Sequence, residues 1–132
     1  MTNEGPLIRV VDDDPSMGQA LRRLLTAAGF RVRVFGSVEA LRVSDGDEAP
    51  ACLVLDVRLP GQSGPEYYAS LPAPRPPAVF ISGHDARRSR CRAMAAGARA
   101  FLAKPFDGAA FLEAITEAVD AGRGDGRGAP DR

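Results

Sequence analysis

A chain of 132 residues is the length of one domain, and its 17 basic and 17 acidic side chains cancel to a formal charge of zero. That balance excludes a strongly basic nucleic-acid module, or a strongly acidic tail, as an account of the whole. Hydrophobic residues at 45% and charged residues at 26% are ordinary globular usage, enough to bury a core without a metal or a disulfide staple. Two cysteines, Cys52 and Cys91, cannot make a disulfide framework or a four-ligand zinc site, and a lone His84 argues against histidine-based metal or triad chemistry. No stretch reaches the length of a membrane span, and the opening MTNEGPLIRV lacks the basic and apolar regions of a signal peptide. A reduced, cytoplasmic setting with no membrane contact is therefore expected.

In chain order, Leu7–Val11 is a run rich in branched residues that ends in three aspartates. Pro15 opens a helical pattern with Met17, Leu21, Leu24, Leu25 and Ala28 apolar, closed by Gly29. Phe30–Phe35 alternates apolar and basic residues, as an edge strand with one wetter face does. Ser37 is placed to cap a short helix running to about Val43. Ala51–Leu55 is continuously apolar, the signature of a strand covered on both faces, and it stops at Asp56. A short helix is predicted over Pro65–Leu71, followed by a linker containing Pro72, Pro74, Pro76 and Pro77, which can be neither helix nor central strand. Ala78–Ser82 is the fourth strand, Ala86–Ala96 a helix ended by Gly97, Arg99–Ala103 the fifth strand, and Asp107–Ala121 the last helix. The remainder, residues 122–132, alternates glycine with charges and reads as a flexible tail or linker after a domain spanning 1–121.

Strands that alternate with helices must be parallel, because only a crossover returns the chain to the same end of the sheet. The expected fold is α/β: a five-stranded parallel sheet with helices on both faces. Such sheets bind ligands beyond the carboxyl ends of their strands, which here carry Asp12, Asp13 and Asp14, then Asp56, Ser82 and Lys104. Clustered carboxylates repel one another unless a cation neutralises them. With oxygen donors and no cysteine or histidine nearby, the fitting cation is Mg2+. Asp56 is then a candidate nucleophile forming an aspartyl phosphate, with the metal, Lys104 and the Ser82 hydroxyl offsetting phosphoryl charge. Asp14, directly before Pro15, is the aspartate best placed to be a helix cap instead.

The segments VVDDDPSM (10–17), LVLDVRLPGQSG (53–64), VFISGH (79–84) and FLAKPF (101–106) together resemble the receiver domain of bacterial two-component response regulators. The resemblance runs from Leu7 to Ala121 and is most similar to the nitrogen-fixation type of transcriptional regulator. It implies the flavodoxin-like strand order 2-1-3-4-5 with five helices. It also implies that Asp56 is the phosphoacceptor, that Asp12, Asp13, Asp56 and the backbone carbonyl of Arg58 hold Mg2+, and that Lys104 pairs with the phosphoryl group. Ser82 matches the hydroxyl that moves onto that group, Phe101 the aromatic switch position that follows it, and Lys104–Pro105 a bond that is cis in the family. Gly83, Pro65 and the pair Tyr67–Tyr68 depart from the commonest patterns, which puts switch kinetics and the partner surface in question and leaves the phosphorylation chemistry intact.

The implied partner is a sensor histidine kinase. A phosphorylation-dependent homodimer and a DNA-binding output domain outside this chain are further expectations, with no nucleic acid bound directly. Such a domain transfers and slowly hydrolyses its own phosphoryl group and turns over no metabolite. A phosphatase of the haloacid-dehalogenase type needs an aspartate two positions after its nucleophile, where this chain has Arg58. A nucleotide- or flavin-binding domain wants a glycine-rich phosphate loop after the first strand, where this chain has three aspartates. The remaining alternative is a degenerate receiver serving only as an interaction module. Cys52 reads as a small core residue and Cys91 as a helix residue. Arg87, Arg88, Arg90 and Arg92 crowd one helix, which is either a solvated face or a recognition face.

Overall fold

A wholly apolar strand is stable only when layers cover both of its faces, and that requirement organises this chain. The computed structural model describes residues 5–44 and 48–126, and the side chains of residues 123–126 lie outside that description. Its elements are β1 (Leu7–Val11), α1 (Pro15–Ala27), β2 (Arg31–Phe35), α2 (Val38–Val43), β3 (Cys52–Asp56), α3 (Gly64–Ala69), β4 (Ala78–Ser82), α4 (Ala86–Ala95), β5 (Ala100–Ala103) and α5 (Gly108–Gly126). The strands form one parallel sheet in the order β2-β1-β3-β4-β5, as the sequence and the resemblance imply.

Two apolar layers sandwich the sheet. On one face, α1 (Leu21, Leu25) and α5 (Phe111, Ile115, Ala118, Val119) pack on Ile8, Val10, Cys52, Val54, Val79 and Ile81. On the other, α2 (Val38, Leu41), α3 (Tyr67, Tyr68) and α4 (Ala93) pack on Val11, Leu53, Leu55, Phe80 and Phe101. All five residues of β3 and all five of β4 are buried, so the centre of the sheet is the core. Each fully buried large side chain, such as Phe80 or Phe111, contributes about 2 kcal/mol of transfer free energy. Cys52 sits in this core, and burial pushes its thiol up to about 12, where it stays protonated and inert.

Local signals act where they are expected. Asp14 accepts from the Ser16 N–H at 2.9 Å and caps α1, and Ser37 caps α2 by accepting from Ala40. Gly29 and Gly97 follow α1 and α4 with φ of +97° and +100°, a conformation in which a side chain is strained. The Lys104–Pro105 bond is cis, as is Ala73–Pro74.

The edge-strand expectation holds, and two helix ends are corrected. β2 lies at the sheet edge with one wetter face, since Val32 and Val34 pack on the core beside α1 and α5 while Arg33 between them is exposed. Arg31 is held down by Gly5 and by a paired contact with the Glu48 carboxylate. Helix α3 starts at Gly64 and ends at Ala69 rather than spanning Pro65–Leu71, because a capping box between Ser63 and Glu66 fixes its start one residue earlier. Helix α5 continues five residues past Ala121, to Gly126. Glycine costs a helix only about 1 kcal/mol per residue, and without a proline the ladder propagates through GRGDG. The rest of the expected tail, residues 127–132, lies outside the described residues.

Candidate functional site

The register of the sheet brings the expected residues to one end. Val11 pairs with Leu55, so Asp12 follows β1 level with Asp56, the last residue of β3. Asp56 pairs with Ile81, which puts Ser82 one residue further out, and Ser82 pairs with Ala103, which puts Lys104 one further still. A lysine two steps beyond the carboxylates has the length to reach back over them. Its Nζ lies 2.9 Å from Asp56 Oδ2 and 3.0 Å from Asp12 Oδ2.

The second oxygen of each carboxylate is also engaged. Asp12 Oδ1 accepts the Asp14 N–H at 2.9 Å, and Asp56 Oδ1 accepts the Arg58 N–H at 3.0 Å. The side chains of Asp12 and Asp56 are 0% and 6% exposed, whereas Asp13 is open to solvent. One carboxylate oxygen from each of Asp12, Asp13 and Asp56 lies within 4.8 Å of the others. Lys104 brings one positive charge to three carboxylates. Burial, reinforced by the neighbouring Asp56, holds the Asp12 carboxyl above its usual range despite the Asp14 N–H and Lys104. Burial, the largest single influence, lowers the Lys104 pKa, but the hydrogen bonds to Asp56 and Asp12 and their charges together outweigh it and leave the ammonium above its ordinary range.

An open cleft of about 460 Å3 gives access from solvent to Asp56, between Asp13, Arg58, Gly83, His84 and Lys104. Helix α3 closes in from behind. An added Cβ on Gly64 would stand 2.2 Å from the Asp56 carbonyl oxygen, so only glycine lets α3 start this close to the end of β3. A hard-oxygen donor set with an unbalanced negative charge suits a small divalent cation such as Mg2+. A carboxylate beside both a cation site and an ammonium is equipped to accept a phosphoryl group.

Ser82 is buried at the end of β4, with its hydroxyl turned to the His84 backbone and to Ser89 on α4. Phe101 is buried in β5, with the Arg90 guanidinium 5.0 Å from its ring centroid. Sequence reasoning missed Ser89, the Gly64 contact and the position of Arg90. Only the isolated polar residue within a run of arginines and alanines marked Ser89 at all.

The family model for the response regulator receiver domain matches residues 8–116. Nodulation protein W of Bradyrhizobium diazoefficiens is 40% identical over 89% of this chain and 52% of its own length. The transcriptional regulatory protein FixJ of Rhizobium meliloti is 34% identical over 86% of this chain and 56% of its own. This chain thus spans about half the length of such curated relatives. Among solved structures, a response regulator receiver protein from Burkholderia phymatum superposes with a TM-score of 0.76 at 39% identity, covering 87% of this chain and 95% of that one. Full-length FixJ from B. japonicum superposes with a TM-score of 0.81 at 32% identity, covering 92% and 61%. Among the described residues, no helix is long and apolar enough to cross a membrane.

Proposed function

The chain belongs to the response regulator receiver domain family of two-component systems, and from that premise we propose that Asp56 accepts a phosphoryl group and that the modified chain switches its affinity for partners. The observation that carries this reading is the Lys104 ammonium, within 3.0 Å of both buried carboxylates at the open end of the sheet. A structural salt bridge has no need of a third carboxylate, Asp13, or of an open cleft beside it.

In the proposed step a carboxylate oxygen of Asp56 attacks phosphorus. The bond from phosphorus to the donor, an imidazole nitrogen of a histidine kinase or the acyl oxygen of a small phosphodonor, breaks, and its electron pair leaves with that nitrogen or oxygen. The Arg58 N–H orients the Asp56 carboxylate, and the cleft admits the donor from the solvent side. Asp12, Asp13, Asp56 and the backbone carbonyl of Arg58 would hold Mg2+, which supplies positive charge to the phosphoryl oxygens when bound. Lys104 exchanges its contact with Asp56 for one with a phosphoryl oxygen. The Ser82 hydroxyl then turns to the same group, and Phe101, packed under Arg90, changes its side-chain packing. The kinase, a homodimer and an output domain beyond this chain are the partners this reading assigns.

Intact-mass measurement after incubation with acetyl phosphate and Mg2+ tests it. Wild type is expected to gain one phosphoryl group, with no gain when the metal is chelated beforehand and none in Asp56→Asn. No gain in a folded, Mg2+-binding protein overturns the phosphoacceptor reading in favour of a pure interaction module.

A further inference from the structure

The hydroxyl expected to meet the phosphoryl group is already committed elsewhere. Ser82 Oγ accepts the His84 N–H at 3.2 Å and lies 3.0 Å from Ser89 Oγ, and Ser89 donates to the His84 carbonyl at 2.9 Å. Ser82 is 1% exposed and Ser89 4%. One proton arrangement satisfies all three groups: His84 N–H to Ser82, Ser82 O–H to Ser89, Ser89 O–H to the His84 carbonyl. In this closed ring each hydroxyl donates once and accepts once. The His84 carbonyl is also 3.1 Å from Ser82 Oγ, so an alternative orientation of the Ser82 proton stays within the same three residues. Buried rings of this kind reinforce their members.

We infer that Ser89 is a positioning residue that latches the Ser82 hydroxyl to α4, so that phosphorylation must open this ring before Ser82 can reach Asp56. The inference rests on the phosphoacceptor reading of Asp56. A hydroxyl has one proton, and Ser82 cannot donate it to Ser89 and to a phosphoryl oxygen at once. The ring also spans the β4–α4 junction. Asp85, between its members, is the only non-glycine described residue with positive φ, at +34°, and its side chain caps α4. Opening the ring frees the strained junction and the first turn of α4, which carries Arg87 and Arg88. Ser89 therefore couples the site to the arginine-bearing helix as well as setting the resting position of Ser82.

Ser89→Ala removes the latch hydroxyl and its link to α4, leaving Ser82 only the longer 3.1 Å contact with the His84 carbonyl. Calorimetric titration with beryllofluoride and Mg2+, a phosphoryl mimic, is expected to show about threefold tighter binding than wild type, less than one full net hydrogen bond because the His84 carbonyl still accepts from Ser82. In a Ser82→Ala background the same substitution is expected to change binding less than twofold, because the latch acts only through Ser82. Ser89→Cys, with a weak donor, is expected to fall between wild type and Ser89→Ala. Without beryllofluoride, the His84 amide resonance is expected to shift in Ser89→Ala. Equal effects in both backgrounds, or an unchanged His84 resonance and unchanged affinity, overturn the latch alone. Wild type that takes up no beryllofluoride overturns the phosphoacceptor reading first, and the latch with it.

Discussion

Asp12 is a carboxylate with no exposed side-chain surface, facing Asp56 and sharing a single lysine with it. Its pKa is raised, with burial the largest cause. The folded chain therefore holds this proton more tightly than the unfolded chain, where the ordinary value is 3.8. Stability from Asp12 is present below that value and is lost as pH climbs through the raised folded one, so at neutral pH the ionised group costs stability. Removing the charge should relieve the crowding. Asp12→Asn is expected to stabilise the metal-free protein by about 1 kcal/mol at pH 7 in urea unfolding, with the gain shrinking towards pH 4. It should also abolish the rise in stability that Mg2+ is expected to give wild type. Destabilisation at pH 7 would mean that the pairing with Lys104 outweighs the repulsion. The sequence carried the carboxylates legibly, because charges ending apolar strands need a reason. That Asp12 is buried and Asp13 open was not legible, since adjacent aspartates in a loop carry no periodicity to distinguish them.

Elements hold the site through close approach, and helix α3 is the clearest case. Its first residue, Gly64, donates its N–H to the Val57 carbonyl at 3.2 Å. A methyl group at Gly64 would collide with the Asp56 carbonyl and press on Phe80. Gly64→Ala is expected to cost about 2 kcal/mol, as overpacked sites do, and to slow phosphorylation by acetyl phosphate as the end of β3 moves. Ser37→Ala, which removes the α2 cap, is expected to cost about 1 kcal/mol with the phosphorylation rate unchanged. If both variants slow phosphorylation equally, Gly64 acts through global stability and not through the position of Asp56. At this scale the sheet was the most legible feature. The ACLVL run and the spacing of turn residues leave a covered parallel sheet as the consistent solution. Helix ends were less legible, because α3 is set by a side-chain box and α5 by the absence of a stop signal. The Ser82–His84–Ser89 ring joins a strand end to a helical serine seven residues on, across a short polar loop with no pattern.

Over the whole molecule a net charge of zero conceals an uneven surface. Arg87, Arg88, Arg90 and Arg92 are all exposed on α4, which has no acidic residue, while Glu113, Glu117 and Asp120 are exposed at helical spacing on α5. Arg58, Arg88 and Arg92 line a second cleft next to the first, so the basic patch reaches the rim of the site. A two-fold contact of α4 against α4 would set arginines against arginines, which like charges oppose. A homodimer formed through this face must instead seat α4 of one copy against acidic residues of the other, and α5 offers them. Sedimentation of the beryllofluoride-treated protein is therefore expected to show a dimer at low salt. Its affinity should fall about tenfold as the ionic strength rises from about 0.05 to 0.5 M and the Debye length shrinks. Arg87→Glu/Arg90→Glu and Glu113→Arg/Glu117→Arg are each expected to weaken the dimer, and a chain carrying both pairs to recover part of it. A monomer at every salt concentration, with beryllofluoride bound, would exclude self-association and leave the arginine face to an acidic partner of another kind.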